Sequence, residues 1–572
     1  MPTVGQVVHR LLPGASKERV EWPAFPVWPP DLFAVCATLV EMSQCYRHRH
    51  YTEHSRDKCF FRGSYKDTVQ NVGYRWRVLD LKKNDKETIF LGEQWATLYH
   101  NRNKPVVVVG SPAGRPSAAE KWWDAAMMLM AVADEASGGL GFRTEKRIVP
   151  FADYLHAQEL RMERHRRSSI KLPHSICMAV PPEEACVQPK TRTPQVGVTL
   201  RTMSHNLALL PPHGTFATTW ITLPTAIEKR QAINRSGEEP FNLLIVPYPF
   251  GVSGFCFRED AQPGGMEPRF FECEQKWLRG RAAGSPVGTE LGKSLLRLIR
   301  EAKKGVSRVH GIVMPELAVD ETRAKALVRQ LKKADVELFV SGVLKRGRGS
   351  KDFSANVAWA VPFWKGGVPF IAEQPKHNRW RLDHSQIIRY SLGHVLNPKD
   401  TFWERIDVSR RNAQFFVFRN GVSFTSIICE DLARVDPAGA VIRAIGPNLV
   451  VALLMDGPQL ESRWPAKYAS VLSEDPGSAV LTVTSLGMVK RSMAPGASGD
   501  RVVALWQEPG ERAKQINLPR NAHALLLTLS FSTLTERTFD GRDDGGGSTR
   551  IRLSGLRAVV DPKLDSEDRD VV

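Results

Sequence analysis

The stretch SFTSIICEDLARVDP spans Ser423 to Pro437. Apolar and β-branched residues run to Cys429 and stop there. Glu430 and Asp431 follow, then a segment able to turn helically. A run bounded in this way reads as a buried strand whose chain leaves the sheet at the cysteine. Such an elbow points the sulfur out of the sheet and near helix N-terminal amides, which predicts a thiol of lowered pKa. Taken alone, Cys429 reads better as a buried structural thiol, one of the commonest fates of a free cysteine.

Two other strand ends change that balance. HGIVMPELAV places Glu316 after an apolar strand and Pro315, with a helix expected next. AEQPKHNRW places Lys376 after the strand VPFIAEQ. An acid, a lysine and a cysteine thus each follow an apolar strand, in that order. Strand ends on one edge of an α/β sheet converge on a common crevice. A carboxylate takes a thiol proton, a lysine stabilises an oxyanion, and a thiolate attacks an electrophilic carbon, which together make a covalent acyl-transfer site.

The surrounding pattern supports a sheet with helices packed on it. From Pro240 onward, FNLLIVPYPF, HGIVMPE and VELFVSGVL read as strands, interleaved with the amphipathic helices Thr289–Lys304 and ETRAKALVRQLKKA. SANVAWAVPF, NLVVALLMDG, SAVLTVTSLG, RVVALWQE and HALLLTLSF continue the strands, many apolar at nearly every position, as strands buried on both faces are. FRNGV and WKGGV carry hairpin chemistry. Before residue 235 the pattern is less regular. Helices are expected over Asp31–Tyr46, with Asp31 as N-cap, and over Ala118–Ser137; NKPVVVVGSP and GVTLRTMS resemble strands. The polar run INRSGEEP makes a boundary between an N-terminal domain, 1–235, and a second domain, 241–539. FDGRDDGGGSTR and the polar end of the chain predict a flexible tail over 540–572.

Composition narrows the partners. The 572 residues are 42% hydrophobic and 24% charged, and no run is apolar enough for a membrane span. Eight scattered cysteines, without a secretory leader, predict reduced thiols and a cytoplasmic protein. The formal charge is +18, from 79 basic against 61 acidic residues. Its densest clusters, RMERHRRSSIK and KRGRGSK, read first as solvated surface, so nucleic-acid binding is expected to be weak, non-specific and salt-dependent. Cys45, His48, His50, His54 and Cys59 are zinc-ligand types, but their spacing fits no familiar finger and no metal is expected. The tryptophans Trp22, Trp28, Trp76, Trp95, Trp122 and Trp123 are expected as core and interface anchors.

Residues 241–539 resemble the nitrilase, or carbon–nitrogen hydrolase, superfamily. The resemblance rests on VMPELAV, EQPKHNRW, NGVSFTSIICEDL, LLMDGPQLESRWPAKYASVL and VLTVTSLGMV, which occur in the family's order. It implies a nitrilase-like α-β-β-α sandwich, here preceded by a mixed α/β N-terminal domain of unknown type. It also implies a Glu–Lys–Cys triad, which falls on Glu316 as general base, Lys376 as oxyanion stabiliser and Cys429 as nucleophile. The backbone N–H of Glu430 completes the oxyanion site. The chain departs from the family around the lysine, where Gln374 stands in place of an aromatic residue and His377 follows directly. A second supporting acid is common in the family; Asp383 is the nearest candidate, with Glu373 and Glu404 as others.

The implied function is hydrolysis of a carbon–nitrogen bond, amidase- or nitrilase-like, through a thioester-type acyl-enzyme. It needs no metal or organic cofactor. The expected partners are a small-molecule amide or nitrile and a second copy of the chain, since such domains commonly form homodimers. The alternative is a non-catalytic nitrilase-like scaffold or sensor in a regulatory or bacterial defence role.

Overall fold

The computed structural model describes residues 1–13, 21–48, 63–106, 121–140, 170–171, 175–211, 216–222, 239–260, 268–278, 287–347, 353–363, 369–418 and 422–564. Several expectations lie outside these residues: most of the basic cluster at 161–171, the end of the one at 345–351, the polar boundary at 233–238, both hairpin turns, most of the strand at 103–112, and the histidine-rich segment beyond 48.

Two large sheets face each other. One has seven strands in the order 372–375, 355–362, 338–345, 311–320, 241–245, 524–534 and 548–559. The other has eight, in the order 170–171, 217–222, 412–418, 422–428, 449–454, 479–484, 502–507 and 514–517. Their central strands are parallel: Phe241–Ile245, Gly311–Asp320 and Leu338–Lys345 in the first, and Val422–Ile428, Leu449–Leu454 and Ala479–Thr484 in the second. These strands are apolar along nearly their whole length because each is covered on both faces, by the opposite sheet and by helices. Val287–Ala302 and Glu321–Leu331 cover the first sheet, and Trp464–Glu474 covers the second. The result is the α-β-β-α sandwich. Helix Trp464–Glu474 turns Tyr468 and Val471 outward.

The N-terminal part builds a second core. Helices Val4–Leu11, Pro29–Ser43, Gly63–Arg77, Lys86–His100 and Lys121–Ala136 pack together with the hairpin Cys186–Pro189/Leu207–Leu210. Trp122 and Trp123 are fully buried in it. Asp31 does not cap its helix. It sits inside, where its carboxylate accepts from the backbone N–H groups of Met178, Ala179 and Val180. Leu200–Met203 forms a 3₁₀ turn closed by Thr199 and Thr202, in place of the expected strand.

Neither expected boundary is clean. Strand Ala217–Thr222 pairs in parallel with Asn412–Phe418, so the eight-stranded sheet draws on the chain before residue 235. The expected flexible tail is corrected as far as residue 564. Ser548–Val559 is a long strand paired along its length with Ala524–Leu534. Gly545 and Gly546 take positive φ (63° and 80°) and turn the chain back; the glycine run is a turn, not a linker. Beyond the strand, buried Asp561 accepts from Ser294 and Arg297 of helix Val287–Ala302.

The same C-terminal segment locks the two cores together. The buried guanidinium of Arg542 bonds Asp540, Asp134 and Glu135, and also the carbonyls of Ala131 and Met203. Arg201 adds a bidentate pair to Asp475, at 2.5 and 2.8 Å.

Candidate active site

Glu316, Lys376 and Cys429, read from separate strand ends, are all buried where the two sheets meet. Each arrives through a different local device. Strand Gly311–Asp320 does not end at Glu316 as expected. It continues to Asp320 with a slip in register between Met314 and Val319, and the helix begins only at Glu321. The slip puts Leu317 at φ 53°, a left-handed conformation that a branched side chain rarely adopts. Gly342 on the neighbouring strand makes room for it: a Cβ there would lie 2.4 Å from the Glu316 Cα and 2.5 Å from the Leu317 nitrogen.

Cys429 ends strand Val422–Ile428 at φ 44°, also left-handed. Such conformations cost of order 1–3 kcal/mol each and persist where the surroundings over-determine them. The chain then enters a short 3₁₀ turn, Cys429–Ala433, with the Glu430 carboxylate paired to Arg434. Lys376 directly follows strand Ala372–Pro375, and its backbone N–H is held by the Asn356 carbonyl at 2.9 Å.

Lys376 lies between two carboxylates. Its Nζ donates to Glu316 Oε1 at 2.9 Å and to Glu404 Oε2 at 2.6 Å. Asn356 Nδ2 bridges the same acids, at 2.7 and 3.1 Å. The Glu404 carboxylate also accepts from the Trp380 N–H, and its backbone carbonyl accepts from the Arg379 guanidinium. Of the acids considered as a second partner for the lysine, it is Glu404 and not Asp383 that contacts Lys376. Asp383 caps helix His384–Arg389 by accepting from the Gln386 N–H, and Glu373 pairs with Lys345. The D-x-x-Q pattern at 383–386 is a legible capping signal and would have argued for this.

The electrostatics follow from burial. Burial opposes charge on Lys376, but Glu316, Glu404 and Cys429 outweigh it and hold the ammonium well above its ordinary pKa. Burial raises the Glu316 carboxyl, with Lys376 pulling the other way. The Cys429 thiol is pushed well above its usual value, by burial first and then by Glu316. The expectation of a lowered thiol pKa is thus corrected. The elbow leads into a 3₁₀ turn, not an α-helix, so little dipole acts on a sulfur surrounded by apolar groups and acids. Burial thus favours the neutral thiol of Cys429 over the thiolate.

The departures near the lysine have structural reasons. Gln374 is buried and ties the two sheets: its amide donates to the Ser426 carbonyl on the cysteine strand and accepts from the Gln414 N–H at 3.0 Å. Asp431, two residues past Cys429, accepts from the backbone N–H groups of His377 and Asn378 and from the Asn378 side chain. It joins the cysteine turn to the lysine loop, and its burial pushes its carboxyl up to about 7. His377 packs edge-on against Phe216, and burial lowers its imidazole to about 4, so it stays neutral.

Among the described residues, Asp134, Glu135 and His205 bring ligand-type atoms within 4.8 Å of one another. The Arg542 guanidinium binds both acids there, and this cluster is an ion-pair network between the two cores. No protein-family model and no curated protein matches the chain. Solved structures of carbon–nitrogen hydrolase superfamily members are similar in fold. A glutamine-dependent NAD+ synthetase from Acinetobacter baumannii aligns at 13% identity and TM-score 0.31, covering 57% of this chain and 49% of its own, so the chain spans about half of that protein. Nit3 from Saccharomyces cerevisiae aligns at 12% identity and TM-score 0.26, over 58% of this chain and 95% of its own. A carbon–nitrogen hydrolase from Helicobacter pylori G27 aligns at 10% identity and TM-score 0.28, over 58% and 91%.

Proposed function

We propose that the protein hydrolyses a carbon–nitrogen bond of a small amide through Glu316, Lys376 and Cys429. The observation that carries this reading is the buried ammonium of Lys376 held between Glu316 and Glu404, beside a cysteine at a strained strand end. Glu316, its basicity raised by burial, takes the Cys429 proton as the sulfur attacks the amide carbonyl. The Lys376 ammonium and the Glu430 backbone N–H stabilise the oxyanion that forms. Glu316 returns the proton to the leaving nitrogen, and the amine departs, leaving a thioester on Cys429. Water, deprotonated by Glu316, attacks that thioester, the acid is released, and the thiol recovers its proton. Glu404 does not touch the reacting atoms in this scheme; it holds Lys376 in place and charged.

Ammonia release from a panel of primary amides tests the reading, with Cys429→Ala and Glu316→Gln as controls. Cys429→Ala should abolish turnover with the fold intact, because a short side chain at a strand end leaves little cavity. Loss of the general base should lower turnover about 10²–10⁴-fold. Turnover that survives Cys429→Ala would refute the scheme.

A further inference from the structure

Asp431 and His377 join the cysteine turn to the lysine loop, and their donors and acceptors do not balance if the acid is ionised. His377 Nε2 lies 3.0 Å from the Asn412 carbonyl. A carbonyl oxygen cannot donate, so Nε2 carries the ring proton, and Nδ1 of the neutral imidazole is left as an acceptor. That Nδ1 is buried without a hydrogen-bond partner, 3.5 Å from Asp431 Oδ2. Both side chains are shut off from solvent. An ionised Asp431 would set a carboxylate oxygen against the Nδ1 lone pair, and buried polar atoms are rarely left unmatched in this way.

The two carboxyl oxygens differ in their duties. Oδ1 accepts from the Asn378 N–H at 3.0 Å and from Asn378 Nδ2 at 2.9 Å, and the His377 N–H is shared between Oδ1 and Oδ2, at 3.2 and 3.0 Å. Oδ2 is therefore the oxygen on which a proton finds an acceptor, and a formed bond to Nδ1 requires closing about 0.5 Å. The charges around the pair are few. Lys376, next in the chain, favours the ionised acid, and Arg411, just before strand Asn412–Phe418, disfavours a second proton on the imidazole. Glu430 is paired with Arg434, burial keeps Cys429 a neutral thiol, and Phe216 and Asn412 bring no charge. Burial outweighs Lys376 and raises the carboxyl to about 7, while the imidazole falls to about 4, which agrees with a proton on the acid.

We propose that Asp431 is a protonated acid in the folded protein, its Oδ2 hydroxyl donating to His377 Nδ1, and that this one proton fastens the turn carrying Cys429 to the loop carrying Lys376. Asp431 and His377 touch no reacting atom in the hydrolytic scheme; they are positioning residues, and the inference stands apart from that scheme. Loss of the proton sets two lone pairs against each other in a dry site, so the fastening loosens as pH rises through neutrality. The sign follows from linkage. A carboxyl whose folded pKa is raised contributes stability below its unfolded value and loses it as pH rises through the folded one, here about 7.

Asp431→Asn in the full-length protein tests this, because an amide keeps the shape of a protonated acid: its oxygen accepts where Oδ1 does, and its N–H donates to His377 Nδ1. The variant should melt close to wild type at about pH 5 and above it at about pH 8, since only wild type loses a proton in between. A variant that does not fold, or that melts well below wild type at both pH values, would overturn the proposal by showing that the carboxylate charge is needed. Nuclear magnetic resonance of the protein carrying isotopically labelled histidine gives a second reading, with the ring identified by the signals lost in His377→Gln. His377 should remain a neutral Nε2–H imidazole over the same range, and its Nδ1 signal should move as Asp431 releases its proton. Uptake of a second proton by His377 near the ordinary imidazole value of about 6.5, or an Nδ1 signal unchanged across the range, would also overturn the assignment. Neither measurement uses turnover, so a protein that hydrolyses no amide yet shows both signatures would sink the hydrolase reading and leave the shared proton standing.

Discussion

Replacing Lys376 with methionine should destabilise the protein in a way that depends steeply on pH. The substitution keeps most of the side-chain volume and removes one charge. The native cluster holds one ammonium between two buried carboxylates, all at most 4% exposed and all bridged by Asn356. Without the ammonium, two like charges share a dry site. Removing one partner of a buried ion pair typically costs about 3–5 kcal/mol. At about 1.36 kcal/mol per pKa unit, that penalty equals a carboxyl raised by roughly 2–4 units in the folded variant. A carboxyl whose folded pKa is raised contributes stability below its unfolded pKa and loses it as pH rises through the folded value. Glu316 is already raised by burial in the native protein, and Lys376 is what restrains it. The variant should therefore melt close to wild type near pH 5 and well below it at pH 8. Circular-dichroism melts at both pH values, each referenced to wild type, read the difference. That reference cancels Asp431, which burial also raises, to about 7. Glu404→Gln leaves one carboxylate facing one ammonium and should lose less. Combining it with Lys376→Met should recover part of the loss, a coupling of about 0.5–3 kcal/mol between contacting groups. Equal losses at both pH values, or strict additivity of the two substitutions, would refute the charge argument.

Three further perturbations probe the supports. Gly342→Ala sets a methyl 2.4 Å from the Glu316 Cα, so the glutamate elbow must shift; turnover should fall by tenfold or more, and a variant with wild-type kinetics would count against the elbow. Arg542→Met strips the cation from buried Asp134 and Asp540 and should cost about 3–5 kcal/mol, read as faster limited proteolysis of the N-terminal helices; wild-type resistance would count against the lock between the cores. Ending the chain at residue 540 removes strand Ser548–Val559 and the Asp561 contacts, so the truncated protein should aggregate or unfold; a soluble product melting like the full chain would contradict the edge-strand placement.

The sequence by itself pointed to an α/β sheet protein from its strand pattern, to the sandwich through its resemblance to the nitrilase superfamily, and to three residues that the structure buries where the two sheets meet. Strands covered on both faces need apolar residues at nearly every position, and this pattern is visible in runs such as Leu449–Leu454. A charged residue or a cysteine interrupts such a run, which is why Glu316, Lys376 and Cys429 stood out. The tail misled because its glycine-rich start resembles a linker, although the alternation in RIRLSGLRAV already carried a strand signal. Tertiary structure alone decided the rest. Asp383 and Glu404 are both acids downstream of the lysine, and only the course of the chain between them turns one into a helix cap and brings the other to Lys376. The thiol's ionisation could not be read from an elbow, because it depends on how much water and how many acids surround the sulfur once the sheets close.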